Sequence, residues 1–235
     1  MSSCPATHDP EREARLRHEL VEVCRLLYER GLVAGQDGNV SVRLGDDRLL
    51  VTPAGRAKGS LAPEDLVVTT LNGDVILGGR ASSEIRMHLA LYARRPDVAA
   101  VVHAHPPVAT GFAVAGIEID PDVLPETIFQ VGDVALVPFA MPGTDALPRS
   151  LEPFAATHDA FLLSNHGATT VGRSLGEAHL RMESLEHAAR ILLAARQLGS
   201  VRPLDAESVR ALRAARAAVR DTSEGGLGPH RGGSE

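Results

Sequence analysis

The stretch VVHAHPP, residues 101–107, carries side chains whose type and spacing could bind a metal ion. His103 and His105 are one residue apart, at the end of an apolar run typical of a buried strand. Side chains two positions apart along a strand point to the same face, so we expect both imidazoles to project in one direction. Such a pair can ligate a metal, but it can also be the solvated end of a strand. The pair alone leaves both interpretations open.

A third histidine strengthens the metal interpretation. His166 follows the apolar run FLLS, in SNHGA, and so also lies where a predicted strand ends in a turn. Three neutral imidazoles with an open fourth position are a ligand set of catalytic zinc sites. Glu84 is the carboxylate that could join them, although its predicted place in the first turn of a helix would equally explain it as a helix-end charge. His88, one helical turn later, is a rival ligand that spacing does not exclude.

Three turns rich in glycine and small polar residues could bind an anion. GQDGNVS (35–41) and TPAGRAKG (52–59) each stand beside a predicted strand, where exposed backbone N–H groups can form an anion-binding nest. ASSE (81–84) adds two serines suited to N-capping and the start of a helix, which can bind a phosphate. Each turn alone is typical of an ordinary loop. An anion site is predicted only if the three converge in space.

The elements that must position these residues can be read from the hydrophobic periodicity. The pattern predicts hairpins within 38–53 and within 66–77, the second with Asn72-Gly73 at its turn, and a third formed by 159–167 and 168–172. Single buried strands are predicted in 97–105 and 132–140. Helices are predicted at 11–30, 81–95, 106–115, 144–158, 174–198 and 206–220. The fold class is therefore α/β, in one domain over 11–220, with a disordered leader (1–10) and a disordered tail (221–235).

Composition excludes several classes of protein. The net charge is −6, and no basic stripe is interleaved with aromatic residues, so a nucleic-acid partner is not expected. No apolar run approaches the roughly 18–20 residues that span a bilayer, so no membrane partner is expected either. The N-terminus does not resemble a secretory signal, which predicts a cytoplasmic protein. Two cysteines, Cys4 and Cys24, cannot form a disulfide framework.

Five motifs, taken in order, resemble the class II aldolase/adducin family, in particular its L-fuculose-1-phosphate aldolase branch. The resemblance implies a three-layer α/β/α fold around a central mixed, mostly antiparallel sheet. It also implies a homotetramer with active sites at subunit interfaces, and a small-molecule substrate. The similarity extends from about residue 11 to residue 201. The motifs are GNVSVR (38–43), TPAG (52–55), SSE (82–84), HAH (103–105) and NHG (165–167).

The resemblance also implies a role for each motif residue. A divalent metal, usually Zn²⁺ with Mn²⁺ or Co²⁺ as alternatives, would be held by His103, His105 and His166. Glu84 would be the catalytic acid/base and a ligand of the resting metal, and the family does not use the position of His88 as a ligand. The residues expected to bind the substrate phosphate are Gly38, Asn39, Gly55, Ser82 and Ser83. The implied reaction is an aldolase cleavage of a sugar phosphate, such as a ketose 1-phosphate, to dihydroxyacetone phosphate and an aldehyde through a metal-stabilised enediolate.

Three departures from the branch weaken that assignment. Gln36 and Ala54 stand where the aldolases have hydroxyl residues, and either Arg56 or Lys58 could compensate or could bind a carboxylate instead. The aldolases use a tyrosine from a neighbouring subunit to protonate the aldehyde oxygen and another tyrosine in the C-terminal tail. Neither has a counterpart here, since Tyr28 and Tyr92 lie on predicted helices. Glu126 falls near one lost tyrosine and is a candidate catalytic acid, or else a surface loop residue.

The departures keep other functions open. A metal-dependent decarboxylase or dehydratase of a sugar acid or sugar phosphate would use the same ligands, as would an aldolase for unphosphorylated hydroxy-keto acids. A ribulose-phosphate 4-epimerase is disfavoured, because that branch usually has aspartate at the position of Glu84. A non-catalytic adducin-like module is disfavoured too, because a purely structural domain has no need of three histidines and a glutamate.

Overall fold

The computed structural model describes residues 9–45 and 47–224. The strands are β1 (Asn39–Arg43), β2 (Arg48–Val51), β3 (Val67–Thr70), β4 (Val75–Leu77), β5 (Ala100–Ala104), β6 (Val134–Val137), β7 (Ala160–Leu163) and β8 (Gly167–Gly172). The helices are α1 (Pro10–Glu29), α2 (Ile85–Arg94), α3 (Pro107–Ala115), α4 (Ala146–Ala155), α5 (Leu175–Leu198) and α6 (Ala206–Glu224). A short π-helical segment at Thr127–Val131 was not anticipated by the sequence patterns. None of the helices in the described ranges is both long enough and apolar enough to cross a membrane.

The two predicted disordered ends differ slightly from the structure at their boundaries. Helix α1 begins at Pro10, and the Asp9 side chain caps it by accepting a hydrogen bond from the Arg12 backbone N–H at 3.0 Å. Helix α6 continues to Glu224, so the first four residues of the predicted tail are helical. The remaining parts of the predicted leader (1–8) and tail (225–235) lie outside the described residues.

The strands form one eight-stranded sheet in the order β4-β3-β2-β1-β5-β8-β7-β6. The three predicted hairpins are confirmed as the antiparallel pairs β1–β2, β3–β4 and β7–β8. β6 and β7 are parallel, joined by a crossover through α4, while the other neighbouring pairs among the described strands are antiparallel. The predicted mixed, mostly antiparallel sheet is therefore confirmed.

Apolar side chains alternate along the strands and build a core on each face of the sheet. Val40 and Val42 of β1 pack in the core shared with α1, α3 and α5. On β2, Leu50 joins that core, whereas Leu49 and Val51 join the core on the other face, with α2 and α4. Helices thus cover both faces, which confirms the predicted three-layer α/β/α fold.

The register of the central strands places three polar residues side by side across β1, β5 and β8, and this row of residues forms part of the site. Asn39 of β1 is the partner of His103 on β5, and His103 is in turn the partner of Thr169 on β8. Asn39 and Ser41 alternate with Val40 and Val42, so they point away from the α1 core and toward α2. Polar side chains therefore occupy the α2 side of the sheet at this row.

Candidate active site

The structure brings the three predicted histidines together. His103 lies in β5, His105 follows that strand directly, and His166 lies in the turn between β7 and β8. Their ring centroids are 4.8–5.2 Å apart, and the Nε2 atoms of His103 and His105 are separated by 3.2 Å. One nitrogen from each ring lies within 4.8 Å of the other two. The spacing matches a shared metal-binding centre.

Unusual backbone positions allow this close approach. Asn165 has φ of 54°, which turns the chain between β7 and β8 and places His166 beside the other imidazoles. A Cβ on Gly167 would come within 2.5 Å of His105 Cδ2 and 2.7 Å of the Ala104 carbonyl oxygen. Gly38, with φ of 72°, would similarly bring a Cβ to 2.7 Å from the His103 carbonyl oxygen. Glycine is required at both positions because any side chain would displace a histidine segment.

The tautomers of the histidines fit a bound cation. His103 Nδ1 lies 2.9 Å from the Ala168 carbonyl oxygen, which only accepts, so Nδ1 must carry the proton and Nε2 the lone pair. His105 Nδ1 faces Asp37 Oδ2 at 3.6 Å, which favours the same tautomer. The two Nε2 atoms, 3.2 Å apart, both present lone pairs, so they repel each other and cannot form a hydrogen bond. A divalent metal that both nitrogens ligate would remove this repulsion. The three histidines therefore fit a metal ion, as predicted.

Glu84 is the carboxylate of this cluster. Its Oε1 lies 3.1 Å from His166 Nε2, and its Oε2 lies 3.4 Å from His103 Nε2 and accepts a hydrogen bond from Asn39 Nδ2 at 2.7 Å. Glu84 is the N-cap residue of α2, so it lies just before the first helical turn and not within it as predicted, and the serines before it do not occupy the N-cap. The Ser82 hydroxyl instead accepts from the Glu84 backbone N–H at 3.4 Å.

The ionisation states suit metal binding. Burial opposes ionisation of Glu84, but the hydrogen bond from His166, the nearby imidazoles and the Asn39 amide outweigh it and hold the pKa of Glu84 well below its usual range. Burial lowers the pKa of His103 to about 3, although Glu84 opposes that shift. At neutral pH the site thus presents an uncharged imidazole and a carboxylate, which are the forms that bind a metal.

His88 is not a ligand in this arrangement. Its Nε2 lies 2.5 Å from Asn39 Oδ1, and its Nδ1 lies 2.6 Å from Ser41 Oγ, so both ring nitrogens have partners away from the three histidines. The ring is buried, 1% exposed. The alternation of β1 and the four-residue spacing from Glu84 are sequence signals for these contacts, although the spacing alone predicts His88 only as a rival ligand.

The three small-residue turns converge beside Glu84. The Ser82 backbone N–H donates to the Thr52 carbonyl at 3.2 Å, which joins the turns that contain Ser82 and Gly55. A Cβ on Gly55 would lie 4.0 Å from Gln36 Oε1, so the first turn adjoins the second. The condition set by the sequence for an anion site is therefore met. Binding of phosphate by Gly38, Asn39, Gly55, Ser82 and Ser83 remains a prediction.

The two basic residues of the second turn, Lys58 and Arg56, both have protein partners. The buried Lys58 ammonium donates to the carbonyl oxygens of Gln36 at 2.8 Å and Arg56 at 2.9 Å, so it ties the two turns to each other. Burial lowers its pKa, although nearby anions including Asp37 and Glu84 oppose the shift. The Arg56 guanidinium pairs with Asp65 at 2.8 Å.

The remaining candidate acids lie apart from the cluster. Glu126 is exposed and lines a cavity of about 470 Å³ whose lining residues do not include the three histidines. Tyr92 is buried on α2, and its hydroxyl is 2.9 Å from Ser41 Oγ. Tyr28, on α1, is 52% exposed. The proposed acid role of Glu126 therefore stays a prediction that no contact in the described chain supports.

Comparison with known proteins agrees with the fold. Residues 18–193 match the family described as the Class II Aldolase and Adducin N-terminal domain. A 3-oxo-tetronate 4-phosphate decarboxylase from Escherichia coli O6:H1 is 37% identical over 184 residues, which cover 77% of this chain and 87% of that protein. An L-fuculose phosphate aldolase from Methanococcus maripaludis is 35% identical over 173 residues, 74% of this chain and 93% of that protein.

A solved structure extends this agreement to three dimensions. The crystal structure of YgbL from Escherichia coli, described as an aldolase, epimerase or decarboxylase, has a TM-score of 0.81 and 34% identity. The match covers 86% of this chain and 99% of that one. The ordered motifs and the three-layer fold agree with these matches. The chain belongs to the class II aldolase/adducin family.

Proposed function

We propose that this protein is a metal-dependent decarboxylase of a phosphorylated 3-oxo acid, a 3-oxo-tetronate 4-phosphate or a close analogue, with Zn²⁺ as the metal. The observation that carries the proposal is the Glu84 carboxylate set between the Nε2 atoms of His103 and His166, at 3.4 Å and 3.1 Å. This arrangement combines a metal-binding centre with a group that can move a proton. A homotetramer, which the family resemblance implies, is part of the proposal.

The decarboxylation requires only a Lewis acid and one proton donor. Loss of C1 as CO₂ breaks the C1–C2 bond and leaves its electron pair on C2, conjugated with the C3 carbonyl, and one proton added to C2 completes the product. A divalent ion held by the three histidines supplies a Lewis acid for the negative charge that develops on the carbonyl oxygen. Glu84, half-buried beside these histidines, can take a proton from solvent and deliver it to C2.

The groups that are missing favour decarboxylation over aldol cleavage. CO₂ leaves without gaining or losing a proton, whereas an aldol cleavage must also take a proton from the hydroxyl that becomes the aldehyde. That second transfer needs a further acid/base group. Tyr92 is buried against Ser41, and Glu126 lines a cavity apart from the three histidines, so within one subunit neither reaches the metal-binding centre. The 37% identity to a 3-oxo-tetronate 4-phosphate decarboxylase supports the same choice.

Aldol cleavage of a ketose 1-phosphate is the second candidate. The 35% identity to an L-fuculose phosphate aldolase favours it. Both reactions leave an electron pair on a carbon beside a carbonyl, so the histidines and Glu84 would act alike in each. The two candidates differ in the leaving group, and therefore in the need for a second acid/base. In both, we propose that the converging turns around Gly55, Ser82 and Ser83 bind the phosphate.

The test measures the two leaving groups separately. Zinc-loaded protein would be given 3-oxo-tetronate 4-phosphate, the unphosphorylated acid, or L-fuculose 1-phosphate, and CO₂ and aldehyde would be quantified. We expect CO₂ from the phosphorylated acid, and none above background from the E84Q variant. Aldehyde from the ketose phosphate without CO₂ from the acid would establish the aldolase instead. No turnover of any substrate by metal-replete protein would reject both candidates.

A further inference from the structure

A chain of buried hydrogen bonds runs from the Glu84 carboxylate into the protein. Asn39 Nδ2 donates to Glu84 Oε2 at 2.7 Å, and Asn39 Oδ1 is 2.5 Å from His88 Nε2. His88 Nδ1 is 2.6 Å from Ser41 Oγ, which is 2.9 Å from the Tyr92 hydroxyl. Four of these five side chains are buried, and the three ligand histidines are not members of this hydrogen-bond chain.

The direction of each bond in this chain is determined by the one before it. An ionised carboxylate only accepts, so Asn39 must present its NH₂ group to Glu84 and its oxygen to His88. The His88 Nε2 must then carry the proton, which leaves Nδ1 as an acceptor for the Ser41 hydroxyl. Ser41 Oγ in turn accepts from the Tyr92 hydroxyl. Burial also lowers the pKa of His88 to about 4, which keeps its ring in this neutral form.

Taking the proposed function as given, we infer that His88 is a positioning residue for Glu84. It holds the Asn39 amide in the one orientation that donates to Oε2, and so directs Oε1 toward His166. Without the His88 donor, the Asn39 oxygen is buried and unpaired, and rotation of the amide would place that oxygen against the carboxylate. Glu84 would then turn away from Asn39, and the group that carries the proton would lose its alignment.

The packing of α2 against β1 fixes the position of the His88 ring. His88 and Tyr92 are four residues apart on one face of α2, and that face packs against the Asn39–Ser41 side of β1. Arg43 Nη2 donates to the Tyr92 backbone carbonyl at 2.9 Å, and its guanidinium lies 4.7 Å from the centre of the Tyr92 ring. The far end of the chain is therefore anchored on β1, while its near end reaches Glu84.

Two amide variants separate positioning from simple packing. In H88Q the longer side chain can still donate to Asn39, whereas in H88N the side chain is one methylene shorter and reaches Ser41 only. We expect kcat of H88N to fall about 10- to 100-fold, with KM and zinc content near wild type, and H88Q to recover most of kcat. His179→Asn is the matched control, since His179 is also buried on a helix but pairs with Glu183, and we expect its kcat to be unchanged.

A second readout does not depend on activity. Crystal structures of metal-free wild type, H88Q and H88N should show the Asn39–Glu84 hydrogen bond in the first two and its loss in the third. Folded H88N with wild-type kcat, or with that hydrogen bond intact, would overturn the inference. Should H88N not fold, an H88Q variant that keeps the bond but has kcat as low as E84Q would also overturn it. If the wild type releases no CO₂, the proposed function fails, and the crystal structures still decide the role of His88.

Discussion

Glu84 and Asp159 are both largely buried carboxylates, yet their surroundings differ. The Asp159 side chain is 7% exposed and the Glu84 side chain 12%. Asp159 Oδ1 accepts from Arg95 at 2.8 Å, and Oδ2 accepts from Arg220 at 2.6 Å and Arg216 at 3.3 Å. Glu84 is instead bounded by imidazoles and the Asn39 amide, and its Oε1 lies 3.1 Å from His166 Nε2.

The difference shows that the partners of a buried carboxylate, more than its burial, indicate its role. Arginines are permanently charged, so Asp159 is neutralised within the protein, where it joins α6 to the sheet. The imidazoles beside Glu84 carry no fixed positive charge. A bound cation would supply the positive charge that balances the carboxylate. A buried acidic group whose neighbours lack fixed positive charge is therefore the one expected to do chemistry.

Removal of the metal should have the largest effect. We expect H105A, or wild type dialysed against a chelator, to lose all measurable turnover, because the charge on the carbonyl oxygen would no longer be stabilised. Zinc content by mass spectrometry and CO₂ release give the measurement. Added Zn²⁺ should restore the dialysed wild type but not H105A. Full activity of metal-free protein would remove the basis for assigning Glu84 and the histidines to one centre.

Substitution of Glu84 should be the next largest effect. E84Q keeps the size of the side chain but cannot carry a proton, so we expect kcat to fall about 10²- to 10⁴-fold. The free energy of unfolding should fall less than it does in Asp159→Asn, because the partners of Glu84 carry no fixed positive charge. Chemical denaturation and steady-state kinetics measure the two quantities. A large loss of stability with normal turnover would mean that Glu84 resembles Asp159.

Asp159→Asn should show the opposite pattern. Removing this charge takes a buried carboxylate partner from Arg95, Arg216 and Arg220, so we expect the free energy of unfolding to fall by about 3 kcal/mol. Turnover per folded molecule should be unchanged. Burial opposes ionisation of Asp159, but Arg181, Arg95 and Arg220 outweigh it and lower its pKa to about 2.

The pH dependence of stability gives the sign of this contribution. Because the folded pKa of Asp159 lies below the value of 3.8 expected for an unfolded chain, the stabilisation is fully present above about pH 4. It is lost as the pH falls from about 4 to about 2. The difference in stability between wild type and D159N should therefore shrink over that range. A constant difference would show that the charge of Asp159 is not what holds α6.

The smallest effect is expected at Glu126. This carboxylate is exposed and lines a cavity apart from the three histidines, so E126Q should change CO₂ release by less than about threefold. The same variant assayed on a ketose 1-phosphate tests the aldolase candidate. A loss confined to aldol cleavage would identify Glu126 as the second acid/base, whereas a hundredfold loss of CO₂ release would place it in the decarboxylation as well.

Much of the fold could be predicted because local signals were strong. The Asn72-Gly73 turn, the apolar run before His103 and the periodicity of α5 each specify one local structure. The ends of the elements were harder to predict. Glu84, and not a serine, is the N-cap of α2, since the Ser82 backbone N–H is hydrogen-bonded to the Thr52 carbonyl. That contact joins residues distant in sequence, and periodicity carries no information about it.

The site was predicted to a similar degree and for a related reason. His103, His105 and His166 could be grouped because each stands at the end of a buried strand. The role of Lys58 could not be predicted, because its hydrogen bonds to both turns depend on how those turns meet in space. The sequence predicted His88 only as a rival ligand, because its contact with Asn39 depends on the register of β1 against β5 and on the packing of α2.

The row formed by Asn39, His103 and Thr169 links folding to metal uptake. These residues come from three neighbouring strands that are far apart in the chain. Slippage of either strand pair by one residue would turn a side chain of the row to the opposite face of the sheet. A misregistered chain could still collapse around its apolar residues, yet it could not assemble the ligands. The time course of zinc binding during refolding would thus report when the central strands reach their native pairing.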